Sequence, residues 1–197
     1  MSSVISAFPT PVYTNKIRGS VFDEVQEEIG NSLSKVDFKF NDNFGETHLL
    51  SDPTFLENYI EKHSLDSLLS VINQNVEQYM IDIGNISDTQ KLKYRIASSW
   101  IALFKPGQYG HVHDHGITDI SGVYYHKTNG KDGSIYFESP NNNLVSSLPF
   151  HHLSNNVTYD PEEGALLLFP GWLKHGIKKN TTDETRISLS FNIYFDR

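Results

Sequence analysis

Three histidines, His111, His113 and His115, lie within five residues in the middle of the chain. On a β-strand the side chains of residues i and i+2 point to the same face, so consecutive members of this set can present two imidazoles side by side. Neutral imidazole is a ligand for iron, zinc, copper and nickel. The spacing therefore predicts that one strand supplies two ligands of a metal ion.

A metal site usually closes with a ligand from elsewhere in the chain. The best candidate is His175, which follows an apolar run at 165–169 and the Pro170-Gly171 turn. We interpret these histidines as a metal site rather than a structural cluster. No role is assigned to His48, His63, His126, His151 and His152, and Trp100 and Trp172 are interpreted as packing residues.

Composition and charge exclude several classes of function. The chain has 197 residues, no cysteine and a formal charge of −8. Thiolate metal sites, disulfides and cysteine nucleophiles are therefore excluded, and the chain has no basic run of the kind that nucleic-acid binders carry. Neither a signal peptide nor a membrane-spanning apolar stretch is recognisable. We expect a cytoplasmic protein with no nucleic-acid or membrane partner.

The elements that must position the histidines change in character at about residue 91. The first ninety residues show the three- and four-residue apolar spacing of helices, whereas short runs of β-branched and aromatic residues follow. We predict five strands in the second half, at residues 94–104, 122–126, 134–138, 165–169 and 187–195. The prediction is a single domain, 1–197, mainly β with N-terminal helices, in which a helical buttress (1–90) supports a core (91–197) that is a sandwich or a jelly roll.

The second half resembles the 2-oxoglutarate/iron(II) oxygenases, and more closely a group of them found in bacteria and their phages. In that group a histidine-rich segment leads into a Ser-Gly-Val-Tyr-Tyr strand, which is residues 121–125 here. A later strand ends in Phe-Pro before a further histidine, as in residues 169–175, and an Arg-Ile-Ser strand follows at 186–188. These motifs keep their order and spacing from about residue 99 to residue 195.

The resemblance implies a fold and an activity. The fold is a double-stranded β-helix, that is, a jelly roll, and the activity is an oxygenase that uses iron(II) and 2-oxoglutarate. It also implies that His113 and His175 are iron ligands. The expected reaction is hydroxylation of a small-molecule or peptide substrate.

The resemblance further implies a binding site for 2-oxoglutarate. Arg186 corresponds to the arginine that pairs with the far carboxylate of the cofactor, and the planar guanidinium suits a carboxylate. Ser188 lies two residues further along the same strand and can donate a hydrogen bond. Tyr124 or Tyr125 can do so from the neighbouring strand.

The sequence departs from the usual iron triad in one respect. That triad is His-x-Asp/Glu with a distal histidine, but the residue two positions after His113 is His115. Three hypotheses remain open: three histidine ligands (His113, His115 and His175), a carboxylate from Asp114 or Asp119, or only two protein ligands. We favour the three histidines, whose neutral side chains leave iron(II) more positive than usual.

Two functions of other classes fit the same histidines. One is a cupin-like metalloenzyme with three histidine ligands that does not use 2-oxoglutarate. The other is a non-catalytic jelly-roll binding protein in which the histidines are structural. Arg186 on the strand after His175 favours the oxygenase over both. The N-terminal helices can cover the sheet or form the contact of a homodimer.

Overall fold

The structure, a computed structural model, describes residues 9–84, 93–141 and 156–196. Its strands are β1 (Tyr13–Lys16), β2 (Lys39–Asn41), β3 (Gly45–Leu50), β4 (Tyr94–Phe104), β5 (Gly110–His113), β6 (Ile120–Lys127), β7 (Ile135–Glu138), β8 (Asn156–Tyr159), β9 (Ala165–Pro170), β10 (His175–Ile177) and β11 (Arg186–Phe195). Its helices are α1 (Gly19–Leu33), α2 (Tyr59–Lys62) and α3 (Asp66–Gly84). His151 and His152 lie outside the described residues.

The strands form two sheets in which neighbours pair antiparallel. The larger sheet has the order β1-β9-β6-β11-β4-β3-β2, and the smaller one has the order β5-β10-β7-β8. Strands of the second half alternate between the two sheets except for β7 and β8, which pair with each other in the smaller sheet. This alternation is the connectivity of a jelly roll. The predicted fold class, a mainly β double-stranded β-helix with helices in the N-terminal half, is confirmed.

The five strands predicted in the second half are present, with ends that shift by one or two residues. Strands β5, β8 and β10 were not among the five, because runs of three or four residues carry too little alternation to be recognised. Strand β5 ends at His113, so His115 lies beyond it and not on one strand with His113, as the spacing had predicted. The first ninety residues differ from the helical buttress that was expected, since they also contribute β1, β2 and β3. These short strands pair at the edges of the larger sheet, so their sequences lack the long β-rich pattern of a central strand.

The helices close one face of the larger sheet. The core on this face includes Val25 and Ile29 of α1, Leu68 and Ile72 of α3, and Ile101, Leu168 and Phe191 of the strands. The Glu28 carboxylate on α1 accepts the backbone N–H groups of Ser67 and Leu68 at 2.9 and 3.2 Å, and so caps the N-terminus of α3. No helix within the described ranges is long and apolar enough to cross a membrane.

Strand β11 divides its residues between the two faces of the larger sheet. Leu189, Phe191 and Ile193 face the helices. The alternate residues, Arg186, Ser188, Ser190, Asn192 and Tyr194, line a cavity of about 370 Å³ between the two sheets. The helices thus leave the other face of the sheet free to carry a polar site.

The loop between β3 and α2 is fixed by one buried carboxylate. Asp52 accepts hydrogen bonds of 2.6–2.9 Å from the backbone N–H groups of Thr54, Leu56 and Glu57 and from the Thr54 hydroxyl. These bonds hold Phe55 at a φ of 59°, where a residue with a side chain is strained. The Phe55 ring consequently lies edge-on to the Trp100 ring, 4.9 Å between centroids, in the cavity wall.

Gly122 occupies a position at which the sheet has no room for a side chain. A Cβ there would lie 2.3 Å from a ring carbon of Phe191. We expect Gly122→Ala to lower the free energy of unfolding by about 1–3 kcal/mol, as overpacking does, measured by chemical denaturation. The matched control is Gly30→Ala on α1, where nothing lies within 4 Å; helix propensity should raise stability there by about 0.5–1 kcal/mol. Equal stabilities would contradict this packing.

Asp52 should make stability depend on pH. Burial alone raises its pKa, but the hydrogen bonds from Thr54, Glu57 and Leu56 outweigh burial and leave the pKa lowered. A carboxyl whose pKa is lower in the folded state stabilises the protein above its unfolded pKa, and that contribution is lost as pH falls through the folded pKa.

We therefore expect Asp52→Asn to destabilise the protein at about pH 7 and to destabilise it less at about pH 2, because the contribution of the Asp52 carboxylate is lost as pH falls through its folded pKa. Chemical denaturation at both pH values is the measurement. Asp42→Asn, on the exposed β2–β3 turn, serves as the control and should leave the free energy of unfolding unchanged at both pH values. A loss of equal size in acid would argue against the lowered pKa.

Candidate metal centre and cofactor pocket

The three predicted ligands converge at one end of the smaller sheet. His113 ends β5, His175 begins β10, and the two residues are direct partners in the antiparallel pairing of these strands. Their ring centroids are 4.5 Å apart, and the His115 ring lies 5.2 Å from His113 and 5.1 Å from His175. One ring nitrogen of each histidine lies within 4.8 Å of the others, a spacing that could hold a metal ion.

Each of the three imidazoles has an oxygen acceptor at its Nδ1. The pairs are His113 with the His111 carbonyl (2.8 Å), His175 with the Leu173 carbonyl (2.9 Å), and His115 with Asn192 Oδ1. An oxygen acceptor keeps the proton on Nδ1 and leaves the lone pair on Nε2. In all three rings the lone pair of the neutral imidazole is therefore on Nε2, and this is the form in which histidine binds a metal.

Burial keeps two of these rings neutral. It lowers the pKa of His175 to about 3 and that of His115 to about 4, because an imidazolium would lose its hydration, and the neighbouring His113 lowers both further. His113 is the most open of the three. Protons therefore compete little with a metal for His115 and His175 at neutral pH.

The carboxylates considered as alternative ligands do not join this group. Asp119 Oδ2 accepts the backbone N–H of Phe195 at 2.9 Å, and Asp119 is absent from the cavity lining. Asp114 lines the cavity, but its Oδ1 accepts the backbone N–H of Gly116 at 3.0 Å. Across the part of the chain that the structure describes, the three histidines are the one group able to hold a metal. The geometry favours the three-histidine hypothesis.

A buried cation in the same cavity lacks a full set of partners. Arg186 is 1 % exposed, donates from Nη1 to the Gly133 carbonyl, and has its Cζ 4.1 Å from the centroid of the Phe104 ring. Its Nε and the Tyr125 hydroxyl have no hydrogen-bond partner among the described residues, and Arg186 Cζ lies 5.7 Å from the Tyr125 ring centroid. Unpaired buried donors are costly. A carboxylate is the group that would satisfy both.

The other residues predicted to bind the cofactor do not all lie on the cavity side of the larger sheet. Ser188 is buried and lines the cavity two residues from Arg186. Tyr124 points into the core on the helix side of the sheet, with its hydroxyl 3.4 Å from Gln26 Oε1. Because adjacent residues of a strand face opposite sides, only one of Tyr124 and Tyr125 can face the cavity side. Tyr124 is therefore removed from the expected cofactor residues.

Several cavity residues had been given no role from the sequence. His48 lines the cavity and stacks on Phe104 at 4.9 Å, and burial lowers its pKa to about 4 with smaller effects of His113, Arg186 and His111. Asn192 binds His115, and its even spacing from Arg186 on one strand could have revealed it. His48 and Phe55 come from the first ninety residues, where no motif marks them.

Aromatic rings extend from the metal ligands along the cavity wall. Successive centroid distances are 5.9 Å from His115 to Trp100, 4.9 Å from Trp100 to Phe55, and 6.2 Å from Phe55 to Phe44. Trp100, interpreted from the sequence as a packing residue, thus belongs to the lining. Asp114 and Arg186 are the only acidic or basic side chains among the lining residues that the structure describes, apart from histidines.

Comparisons with known proteins agree with this site. Residues 98–192 match the model of the family described as "Putative 2OG-Fe(II) oxygenase". No curated protein sequence matches the chain. A similar solved structure is the non-heme alpha-ketoglutarate-dependent epimerase SnoN from nogalamycin biosynthesis, with a TM-score of 0.65 and 12% identity over 94% of this chain and 78% of that one.

Two further structures have bound molecules. HygX from Streptomyces hygroscopicus, solved with nickel, 2-oxoglutarate and hygromycin B, has a TM-score of 0.59 and 15% identity over 93% of this chain and 82% of its own. A prolyl hydroxylase, solved with a hypoxia-inducible-factor peptide fragment from Trichoplax adhaerens, has a TM-score of 0.62 and 14% identity over the same shares.

At these identities the structural likeness shows the fold, the double-stranded β-helix, and not the reaction. The family match points to the function, and the matched range of residues 98–192 includes all three histidines and Arg186. The family match over residues 98–192, together with the fold, points to an iron(II)- and 2-oxoglutarate-dependent oxygenase.

Proposed function

We propose residue roles for this oxygenase. His113, His115 and His175 would hold iron(II) through their Nε2 atoms, and Arg186, Tyr125 and Ser188 would bind the far carboxylate of 2-oxoglutarate. The proposal rests on one observation: the same cavity is lined by three imidazoles with free Nε2 lone pairs and by the buried guanidinium of Arg186, whose Nε has no partner among the described residues. The cavity therefore offers ligands for a metal ion and an unpaired donor for an anion.

The cofactors supply the oxidation of an unactivated C–H bond, in which 2-oxoglutarate and oxygen become succinate and carbon dioxide as the substrate gains a hydroxyl group. The protein binds and orients. Phe104 covers the guanidinium of Arg186 and keeps it from water, which strengthens its attraction for a carboxylate. The carbonyls of His111 and Leu173 hold two imidazoles in the orientation that a metal needs.

The substrate is proposed to be a small molecule or a peptide that is hydroxylated along the aromatic wall formed by Trp100, Phe55 and Phe44. The wall offers apolar ring faces, which suit an uncharged or ring-bearing group. HygX binds a small molecule, and the prolyl hydroxylase binds a peptide. The charge of −8 argues against a nucleic acid. We place the protein in the cytoplasm, where a reducing environment keeps iron ferrous.

One other function has an observation in its favour. The absence of a carboxylate from the metal group is compatible with a cupin-like metalloenzyme that has three histidine ligands and no 2-oxoglutarate. The free Nε of Arg186 favours the oxygenase, because a cavity that binds no anion has no use for an unpaired buried donor. Tyr125, whose ring lies beside that guanidinium, has an unpaired buried hydroxyl as well.

The first test is an anaerobic titration of the protein with iron(II) and then 2-oxoglutarate, followed by visible absorption. We expect a metal-to-ligand charge-transfer band that requires both additions, since it reports 2-oxoglutarate chelated to iron. His175→Ala should lose the band and His63→Ala, outside the cavity, should keep it. Tight metal binding without a band would assign the histidines to a metalloenzyme that does not use 2-oxoglutarate.

Tyr125 and Tyr124 provide a matched pair of variants. Tyr125→Phe removes a buried hydroxyl that has no partner, so the free energy of unfolding should stay unchanged or rise by about 1–3 kcal/mol. The same change should weaken 2-oxoglutarate binding roughly tenfold, because the lost hydrogen bond was made to a charged group. Calorimetric titration of the metal-loaded protein measures this affinity.

Tyr124→Phe removes a hydroxyl on the opposite face of the sheet and should leave 2-oxoglutarate affinity unchanged. If Tyr125→Phe binds 2-oxoglutarate as tightly as the unchanged protein does, the Tyr125 hydroxyl does not contact the cofactor.

A further inference from the structure

The groups behind the metal ligands are uncharged. Two of the three Nδ1 acceptors are backbone carbonyls, and the third is the amide oxygen of Asn192. No carboxylate belongs to the metal group within the described ranges. Asp114, also in the cavity lining, is exposed, with one oxygen turned to the Gly116 backbone. Neither the imidazole ligands nor the acceptors behind them would neutralise the charge of a divalent ion bound here.

Asn192 is held in place by neighbouring strands. Its Oδ1 accepts hydrogen bonds from His115 Nδ1 and from the Ser121 hydroxyl at 2.9 Å, and its Nδ2 donates to the Ser98 hydroxyl at 3.3 Å. This orientation of the amide turns an oxygen, rather than an NH₂ group, toward His115. The proton of His115 therefore stays on Nδ1, and its Nε2 lone pair stays available.

We infer that Asn192 is a positioning residue that keeps the metal site neutral, so that iron(II) and 2-oxoglutarate bind as a unit and each strengthens the binding of the other. The inference rests on the proposed function. A ligand shell with a carboxylate neutralises part of the charge of the ion before the cofactor arrives. Here the 2-oxoglutarate dianion must supply that neutralisation. Because coupling free energy is reciprocal, iron(II) must strengthen 2-oxoglutarate binding by the same factor.

An isosteric substitution tests this role. Asn192→Asp keeps the shape of the side chain, and the hydroxyls of Ser121 and Ser98 can both donate to a carboxylate. The new charge lies directly behind His115 and raises the basicity of that imidazole as a ligand. We expect iron(II) to bind about tenfold more tightly without 2-oxoglutarate. A substitution that only damaged the fold would weaken binding instead.

The measurement is anaerobic equilibrium dialysis of the full chain against iron(II), with and without saturating 2-oxoglutarate, corrected for iron that 2-oxoglutarate holds in solution. In the unchanged protein 2-oxoglutarate should tighten iron binding about tenfold or more. In Asn192→Asp this factor should shrink toward one. The control is Asn31→Asp, which adds the same charge at an exposed position of α1, on the helix side of the larger sheet.

The outcomes separate the inference from the proposed function. Iron binding that is equally tight with and without 2-oxoglutarate overturns the inference and leaves the metal site in place. An Asn192→Asp protein that behaves like Asn31→Asp overturns it too. If the unchanged protein binds no iron in either condition, the proposed function fails together with the inference. Titration of 2-oxoglutarate with and without metal must return the same coupling factor.

Discussion

The site depends on the antiparallel pairing of β5 with β10, two strands of four and three residues. Their register sets His175 directly opposite His113, with the two ring centroids 4.5 Å apart. His115 joins them because the chain after β5 is tied to the neighbouring turn, where its backbone N–H bonds the Gly171 carbonyl at 2.8 Å. Three ligands separated by up to 62 residues thus meet through backbone hydrogen bonds.

The larger sheet supports this centre from behind. Strand β11 lies between β6 and β4, and it turns Arg186, Ser188 and Asn192 toward the cavity while its apolar residues pack on the helices. A central strand paired on both sides is rigid, so the Arg186 guanidinium and the Asn192 amide stay in fixed positions. The helices contribute indirectly, because they bury the apolar face of β11, and the opposite face of this strand carries the polar residues of the cavity.

The polar groups of the cavity fall into two classes that suggest different roles. The Nδ1 atoms of the three histidines all have acceptors, which orients the rings before any metal arrives. Arg186 Nε and the Tyr125 hydroxyl have none among the described residues, so the folded chain carries their desolvation cost until an anion binds. In the proposed function the satisfied groups preorganise the metal site, and the unsatisfied ones attract a carboxylate.

The sequence by itself determined the jelly-roll class, the five longer strands of the second half, and the residues whose types and motif order marked them as candidates, above all His113, His115, His175 and Arg186. The strands follow from local periodicity and the histidine cluster from its spacing, which the chain carries without tertiary contacts. The double-stranded β-helix and the role of Arg186 came from the resemblance to the 2-oxoglutarate/iron(II) oxygenases. Alternation along β11 also constrained Ser188, because side chains two residues apart share a face.

Only the tertiary structure decided which of Tyr124 and Tyr125 faces the cavity side, since alternation requires opposite faces but does not say which face is which. It also decided that Asp119 is bonded to the Phe195 backbone and takes no part in the metal group. His48, Phe55 and Trp100 reach the wall through pairing and packing between segments far apart in the chain. Such contacts depend on register and long-range burial, and no local pattern in the sequence encodes them.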